Sequence, residues 1–490
     1  MIEFKNVSFC YKDSEQANSL HDINFHISKG EVVLLCGKSG CGKTTITRFI
    51  NGLIPHYYEG QMQGEVIVDG QPVSRQPIYE TAKVVGSVFQ NPRSQFFNVD
   101  TTSEIVFGCE NMGWPLSDIE SRLEQISCDF GIKKLFGRNL FHLSGGEKQK
   151  IACAAVSMSD PDVMVLDEPA SNLDCNAIRM LAKIVSMWKS EGKTVVIAEH
   201  RLNYLKQVAD RVIYMEEGKI KQDVTAKEFW RLSSDEIKER GLRSIDPINF
   251  QESGSSHMNH TPTIEFQNFR FSYQKTLNLD VESLTVPQGS IVGIIGNNGA
   301  GKTTFARCLC GLEKKATGEL KKSGTVLKKK SRLKDSYLVM QDVNHQLFTE
   351  SVEEEVLIGM PGKEEENCAE AGKILESMDL LQLKELHPLS LSGGQKQRVA
   401  VASALSSHKD FLVFDEPTSG LDYHHMIEVA ENLKVLSSLG NTLFIITHDP
   451  ELIMECCNYF VFMEQGRVLW NGGWTEKNKE RLRDFFSTIS

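Results

Sequence analysis

Gly37-Lys38-Ser39-Gly40-Cys41-Gly42-Lys43-Thr44-Thr45 follows directly on an unbroken apolar run, Val32–Cys36. The pattern Gly-x-x-x-x-Gly-Lys-Thr after a strand is typical of a phosphate-binding loop, because its glycines let backbone N–H groups point at phosphate oxygens. We expect Lys43 to neutralise the β- and γ-phosphates of a nucleotide, and Thr44 to offer its hydroxyl to Mg²⁺. The stretch therefore predicts a nucleoside triphosphate site at the start of a helix.

The same motif occurs again as Gly296-Asn297-Asn298-Gly299-Ala300-Gly301-Lys302-Thr303-Thr304, after the apolar run Ile291–Ile295. Later motifs recur in the same order: Leu-Ser-Gly-Gly at 143–146 and 391–394, Asp-Glu-Pro at 167–169 and 415–417, and a histidine at 200 and 448. The first copy carries extra residues around Ile54–Arg75. Such self-similarity predicts two tandem domains, residues 1–242 and 262–490, joined by a polar linker over residues 243–261.

The bulk composition is that of an ordinary globular protein, with 40% hydrophobic and 24% charged residues in a chain of 490. The formal net charge of −11 counts against a protein that lives on nucleic acid. No apolar run approaches the length of a membrane span, and the N-terminus lacks an apolar signal core. The 12 cysteines show no Cys-x-x-Cys spacing, so we expect reduced thiols in a cytosolic protein.

Each copy contains short apolar runs separated by segments of helical length. They are Val32–Cys36, Val163–Leu166 and Thr194–Ala198 in the first copy, and Ile291–Ile295, Phe411–Phe414 and Leu443–Thr447 in the second. Continuous apolar runs are typical of parallel strands covered on both faces. The opening segment alternates instead, as an exposed antiparallel strand would. The sequence therefore predicts an α/β fold whose mostly parallel core carries an antiparallel side sheet.

An acidic pair ends one apolar run in each copy. These pairs are Asp167-Glu168 and Asp415-Glu416. The first carboxylate of a pair can hold Mg²⁺ through water, and the second can act as general base on the attacking water. We therefore expect Glu168 and Glu416 to be catalytic.

The segments Leu143-Ser144-Gly145-Gly146-Glu147 and Leu391-Ser392-Gly393-Gly394-Gln395 stand between the phosphate loop and the acidic pair. This conjunction resembles the signature of ATP-binding-cassette (ABC) proteins, over essentially the whole chain outside the linker. The resemblance implies two tandem P-loop NTPase domains, each with an antiparallel β subdomain and a helical signature subdomain. It also implies two composite ATP sites at a head-to-tail interface, where each phosphate loop faces the signature of the other domain.

The resemblance assigns further residues one by one. Tyr11 and Tyr273 match the aromatic residue that stacks on adenine, and Gln90 and Gln341 match the glutamine that senses Mg²⁺ and the membrane subunit. His200 and His448 match the histidine that contacts the γ-phosphate. The loop that crosses to the partner site is matched by Ser171–Asp174 and by Ser419–Asp422. The predicted ATP-binding set is Tyr11, Gly37, Ser39, Gly40, Gly42, Lys43, Thr44, Thr45, Gln90, Ser144, Gly145, Gly146, Tyr273, Gly296, Asn298, Gly299, Gly301, Lys302, Thr303, Thr304, Gln341, Ser392, Gly393 and Gly394. The predicted metal set is Thr44, Gln90, Asp167, Thr303, Gln341 and Asp415, and the predicted catalytic set is Glu168, Glu416, His200 and His448. No motif is missing, so both sites are expected to be competent with ATP and Mg²⁺.

The segment Val88–Phe97 resembles that of energy-coupling-factor (ECF) ATPases, which drive import of vitamins and metal cations, and Ala198–Leu202 is similar to theirs. The second copy keeps the later glutamine and phenylalanine, as Gln346 and Phe348, but has Asp342-Val343 in place of Asn-Pro. This asymmetry is typical of a fused pair that corresponds to two unequal ATPases. The resemblance implies integral membrane partners, a transmembrane coupling protein and a substrate-binding membrane protein, and a place at the cytoplasmic face of the cell membrane.

Other functions remain open. One is the fused ATPase of a sugar importer, although such proteins usually carry one degraded site. Another is a soluble ribosome-associated tandem cassette, favoured by the basic run from Lys314 to Lys334. We interpret that run as a solvated hairpin. DNA repair is disfavoured because the intervals between motifs are too short for a coiled coil or zinc module.

Overall fold

The computed structural model describes residues 1–12, 20–171, 173–246, 248, 250, 263–273, 276–362 and 364–487. The chain divides into two compact units, Met1–Pro247 and Ile248–Ser487. Most of the predicted linker lies outside the described residues, as does Asn172. Phe250 is buried in the second unit, with its ring 5.7 Å from that of Phe486. The predicted domain limits of 242 and 262 stay a prediction.

The first unit is built from two sheets. Its strands β1–β10 are, in chain order, Ile2–Tyr11, Leu20–Ile27, Val32–Gly37, Gly60–Val68, Gln71–Pro72, Val85–Val88, Val163–Asp167, Thr194–Ala198, Arg211–Glu216 and Lys219–Thr225. Its helices α1–α9 are Lys43–Ile50, Leu53–His56, Ile78–Val84, Thr101–Asn111, Leu116–Asp129, Gly145–Met158, Cys175–Ser190, Ala226–Phe229 and Ser234–Glu239. The antiparallel sheet has the order β2-β1-β4-β5, and the main sheet has the order β10-β9-β3-β8-β7-β6. The main sheet is parallel except between β9 and β10.

The second unit repeats this arrangement. Its strands β11–β20 are Thr263–Tyr273, Thr276–Pro287, Ile291–Ile295, Thr317–Lys322, Thr325–Val326, Ser336–Val339, Phe411–Asp415, Thr442–Ile446, Tyr459–Glu464 and Arg467–Gly473. Its helices α10–α17 are Lys302–Leu309, Lys329–Asp335, Val352–Leu357, Glu364–Ser377, Gly393–Ser406, Tyr423–Ser438, Pro450–Cys456 and Glu476–Ser487. The sheets have the orders β12-β11-β14-β15 and β16-β17-β18-β13-β19-β20. The predicted α/β fold with two repeated halves is confirmed.

The burial of the strands follows their sequence pattern. Every residue of β3 and of β8 is buried, as expected for central parallel strands covered on both faces. In β1 the core-facing residues are Ile2, Phe4, Val7 and Phe9, and the pairing shifts register between Phe4 and Val7. That bulge, where Asn6 has a φ of 49°, explains why the alternation skips one residue.

The parallel order places the predicted site at one edge. The phosphate loop follows β3, the Asp167 carboxylate ends β7, and His200 follows β8. Because the carboxyl ends of parallel strands meet at the same edge of a sheet, these segments converge there. Among the described residues, no helix is both long and apolar enough to cross a bilayer. The cysteines of the described ranges form no disulfide, and most are buried.

Candidate active sites

The first phosphate loop is shaped by its glycines and closes around its lysine. Gly37 has a φ of 149°, and a Cβ atom there would lie 2.2 Å from the Met215 carbonyl oxygen, so only glycine fits. The buried Lys43 Nζ donates to the carbonyl oxygens of Gly37 and Lys38 at 2.9 and 3.0 Å. Its Nζ is thus fixed inside the loop, where the phosphates of a nucleotide would lie.

A hydroxyl–carboxylate pair stands beside each phosphate loop. The Thr44 hydroxyl donates to Asp167 at 3.1 Å, and the Thr303 hydroxyl donates to Asp415 at 2.8 Å. Burial raises the pKa of Asp167 to about 7, and the neighbouring Glu168 carboxylate adds to that rise. Burial likewise raises the pKa of Asp415.

This all-oxygen donor set fits Mg²⁺, which prefers carboxylate and hydroxyl oxygens near substrate phosphates. A cation would restore the ionised form of both buried carboxyls. The predicted metal role of these four residues remains a proposal.

The first unit brings two predicted site residues, Gln90 and His200, next to a third, Glu168. The Gln90 amide donates to Glu168 Oε2 at 2.7 Å, and His200 Nε2 lies 3.3 Å from Glu168 Oε1. The backbone N–H of Glu168 donates to the Ala198 carbonyl across to β8. Glu168 has a φ of 45°, a left-handed conformation that is uncommon for a glutamate and typical of functional positions.

The second unit differs in its contacts. Glu416 again has a positive φ, 54°, and its carboxylate accepts the His448 backbone N–H at 3.2 Å. His448 Nε2 lies 3.7 Å from Glu416 Oε1, as His200 lies beside Glu168 in the first unit. It also lies 3.1 Å from Lys302 Nζ and 3.2 Å from the Asn298 amide oxygen. Within the described part of the unit, Gln341 makes no hydrogen bond to Glu416, unlike Gln90 in the first copy. The two predicted catalytic centres are therefore unequal in their side-chain contacts.

The predicted adenine-stacking tyrosines also differ. The Tyr11 hydroxyl lies 3.2 Å from the Thr45 hydroxyl and accepts from Arg48 at 3.0 Å. The Tyr273 hydroxyl instead donates to Glu313 at 3.0 Å. Each ring stands at the end of its unit's opening strand, where the resemblance places the adenine.

Each signature motif forms the N-terminus of a helix. Ser144 caps α6, accepting the Glu147 N–H at 3.3 Å, while Glu147 accepts the Ser144 N–H at 2.8 Å. Ser392 and Gln395 form the same capping box on α14. Gly146 must be glycine, because a Cβ there would lie 2.8 Å from the Ala177 Cβ. Among the described residues, neither serine hydrogen-bonds to the phosphate loop of its own unit.

Sequence reasoning gave no role to Glu199, which the structure buries next to the site. Its carboxylate accepts from the Ala170, His200 and Arg201 backbone N–H groups and from the Tyr204 hydroxyl, at 2.8 to 3.1 Å. Burial raises the pKa of Glu199 to about 7. The carboxylate thus ties the segment after Glu168 to the segment that carries His200.

The second unit joins the two corresponding segments through other residues. There the Thr418 hydroxyl donates to Asp449 at 2.7 Å, and Asp449 lies after the histidine instead of before it. The sequence feature that could have identified this role is the acidic residue Glu199 directly after the apolar run Thr194–Ala198, since the second copy has Thr447 at that position.

Changing Glu199 to Ala should destabilise the first unit. Each buried donor left without an acceptor costs about 1–3 kcal/mol, and a unit of this size loses roughly 2–4 °C per kcal/mol. Four donors lose their acceptor. We therefore expect calorimetry of the full chain to show the first unit's transition lowered by about 8 °C or more. The exposed Glu239 offers a control, since Glu239→Ala should change the transition little. An unchanged midpoint for Glu199→Ala would contradict the bracing role.

Two α/β units that each carry a phosphate loop, a Thr–Asp pair and an adjacent glutamate define a tandem P-loop NTPase. The ABC transporter family matches residues 20–171 and 279–419. Two relatives from Treponema denticola, whose names describe them as ABC transporter ATP-binding proteins, are 46% and 39% identical. The first alignment covers 99% of both chains, and the second covers 96% of both. The chain belongs to the ABC transporter family, and it is an ATPase with two cassettes.

A solved structure titled RNase-L Inhibitor has a TM-score of 0.66 with this chain. The match covers 98% of this chain and 93% of that one, at 22% sequence identity. At that identity the likeness shows the fold alone, which is the tandem-cassette arrangement predicted from the repeated motifs.

Proposed function

We propose that this chain energises a membrane importer, with ATP hydrolysis at two composite sites driving ECF-type uptake of a vitamin or metal cation. Its partners would be a transmembrane coupling protein and a substrate-binding membrane protein, and its place the cytoplasmic face of the cell membrane. The names of its relatives support a transporter role. The ECF assignment rests on the resemblance of Val88–Phe97.

The observation that carries the proposal is an exposed apolar patch next to the Gln90 segment, formed by Phe97, Val99 and Phe141. Phe97 is 77% exposed and Phe141 is 68% exposed. The two chain segments are neighbours, because the Leu140 N–H donates to the Val99 carbonyl at 2.8 Å. Grouped exposed aromatics of this kind mark protein interaction sites.

The patch is linked mechanically to the catalytic glutamate. The Gln95 side chain braces the segment, accepting from the Phe89 N–H and donating to the Ser87 carbonyl. At the start of that segment, Gln90 donates to Glu168 at 2.7 Å. A partner that moves the segment between Gln90 and Phe97 would therefore alter the contact to the predicted general base.

The second unit keeps the same elements. Phe348 is 71% exposed at the position that matches Phe97, and Gln346 accepts the Met340 N–H as Gln95 accepts that of Phe89. Each unit could therefore engage one membrane partner through the segment after its glutamine.

The proposed chemistry at each site uses the residues just described. In the first unit, Lys43 would neutralise the β- and γ-phosphates, and Thr44 with Asp167 would hold Mg²⁺. Bound there, Mg²⁺ would supply positive charge to the phosphate oxygens. Glu168 would take a proton from water as its oxygen attacks the γ-phosphorus, releasing ADP and phosphate, while His200 would contact the γ-phosphate. Lys302, Thr303, Asp415, Glu416 and His448 would act alike in the second unit.

Changing Phe97 and Phe141 together to Ser should release the chain from membranes in cells that produce its partners. We expect wild-type chain to stay with membranes after a high-salt wash, and the membrane-bound share of the double variant to fall at least about fivefold, because exposed aromatic anchors dominate interface energies. Quantitative immunoblotting of fractions measures this share. The matched control is Val435→Ser with Leu439→Ser, two residues that are 55% and 75% exposed on the second unit.

Two results would count against the transporter role. One is recovery of the wild-type chain with ribosomes, from which high salt alone releases it. The other is an equal loss of membrane binding in the control variant.

A further inference from the structure

The structure assigns a lipid-binding surface to the second unit, which we call the basic ridge and define as Lys314, Lys315, Lys328, Lys330 and Lys334. We propose that this ridge contacts the anionic headgroups of a membrane. All five side chains are exposed, and among the described residues none of them pairs with a carboxylate. Lys321 and Lys322, in the same run, do pair, with Glu319 and Asp410.

The ridge is one continuous surface made of a loop and a helix. Helix α11 lies against the chain just before the loop, since a Cβ on Gly311 would be 2.9 Å from the Lys329 carbonyl oxygen. The buried Arg332 faces inward and donates to the Cys308 carbonyl at 2.9 Å. Lys330, Leu333 and Lys334, spaced i, i+3 and i+4, therefore face outward together.

The fold does not require these charges. In the first unit the same elements, β4, β5 and α3, lie within residues 55–84, which hold four acidic and two basic residues. Both bases there are paired, Arg75 with Glu65 and Lys83 with Glu80. Lysines at the start of α11 and an aspartate at its end also oppose the helix dipole. The ridge therefore costs helix stability, which favours a role in binding.

The composition of the ridge favours lipid over nucleic acid. Its exposed cations are all lysines, whereas nucleic-acid surfaces favour arginine and stacking aromatics. Two exposed leucines, Leu312 and Leu333, which are 41% and 46% exposed, lie among the lysines. Lysines mixed with apolar side chains are typical of peripheral contact with anionic membranes. The ridge belongs to the second unit and shares no residue with the apolar patch around Phe97, so the inference does not depend on the proposed transport partners.

Vesicle co-sedimentation tests the ridge with purified full-length chain and protein-free vesicles. We expect binding to vesicles containing one third phosphatidylglycerol, none to pure phosphatidylcholine, and release by high salt. A variant with Lys314, Lys315, Lys330 and Lys334 changed to Gln should bind on the order of 600-fold more weakly, since each lysine near an anionic surface contributes roughly fivefold and the four factors multiply. Its ATPase rate should equal that of the wild type.

The matched control removes four exposed lysines from the first unit, as Lys133→Gln, Lys134→Gln, Lys219→Gln and Lys227→Gln. It should bind vesicles as the wild type does. Equal losses in both variants, or full binding by the ridge variant, would overturn the proposal. So would a ridge variant that loses binding to single-stranded RNA while its vesicle binding is unchanged, because the ridge would then be a nucleic-acid surface.

Discussion

ATP hydrolysis should fall by about 10²–10⁴-fold when Glu168 and Glu416 are both changed to Gln, because a positioned general base contributes a factor of that size. Glutamine keeps the shape of glutamate and can still accept the hydrogen bond that Gln90 donates to position 168. It cannot take a proton from water. ATP binding should therefore persist while steady-state phosphate release collapses.

The structure also predicts how the single variants behave. Each glutamate is fixed by its backbone N–H, which donates to Ala198 in the first unit and to Ile446 in the second. Glu168 has the additional bond from Gln90, whereas Glu416 has none from Gln341 in the described part of the unit. Both single variants should lose activity, but by different factors.

Two exposed glutamates, Glu239 and Glu480, provide the control. The pair Glu239→Gln with Glu480→Gln removes the same charge and should leave the rate within about twofold of the wild type. Full turnover by the Glu168→Gln, Glu416→Gln variant would remove both residues from the role of general base.

The strands of the core were predictable from the sequence almost to the residue. The apolar runs Val32–Cys36, Val163–Leu166 and Thr194–Ala198 correspond to β3, β7 and β8, with differences of at most one residue. Buried parallel strands must be apolar on both faces, so their pattern is local and readable. The convergence of the motifs at one sheet edge follows from the order β9-β3-β8-β7 of the parallel strands, which the structure supplies and the sequence pattern did not predict.

The contacts inside the sites were not predictable, because they join residues that are far apart in the sequence. In the first unit Ala170 is hydrogen-bonded to Glu199, which precedes the histidine in the sequence. In the second unit Thr418 is hydrogen-bonded to Asp449, which follows the histidine. In both copies the sequence motif is the same, a histidine after a strand, so it does not reveal this difference. Whether Gln341 bonds to Glu416 likewise depends on the conformation of a loop side chain, which the sequence does not specify.

The structure of the basic run from Lys314 to Lys334 was only partly predictable from the sequence. Its first half forms the predicted hairpin, β14 with β15, and Lys321 pairs across it with Val326 in the strand register. Its second half is the helix α11, although the dense lysines gave no helical period. Tertiary packing of Arg332 against α10 and the Phe269 ring holds that helix in place.

The composite-site proposal makes the sharpest prediction about pairs of variants. If each phosphate loop works with the signature of the other domain, Lys43→Ala and Ser392→Arg damage one site, whereas Lys43→Ala and Ser144→Arg damage both. Residues that act as a unit are non-additive. The same-site double should thus retain about the rate of its worse single variant, within roughly twofold, and the different-site double should lose activity beyond about tenfold.

The structure supplies both the reason for the arginine and its control. Ser144 and Ser392 cap their helices, so replacing either also removes a cap worth about 1 kcal/mol. Ser144→Ala and Ser392→Ala remove the cap and the hydroxyl without adding bulk, so their rates measure that part of the loss separately from the steric block. Arginine adds bulk in front of the N–H groups at the start of α6 or α14, which the proposal assigns to phosphate on the opposite domain.

Steady-state ATPase rates of the singles Lys43→Ala, Lys302→Ala, Ser144→Arg and Ser392→Arg, and of the two doubles, decide the arrangement. Calorimetry of each variant separates loss of folding from loss of a site. The mirror pair, Lys302→Ala with Ser144→Arg, should behave like the same-site double. If Lys43→Ala with Ser144→Arg proves the milder double, each unit completes its own site, and the head-to-tail arrangement is wrong even though both catalytic centres remain as described.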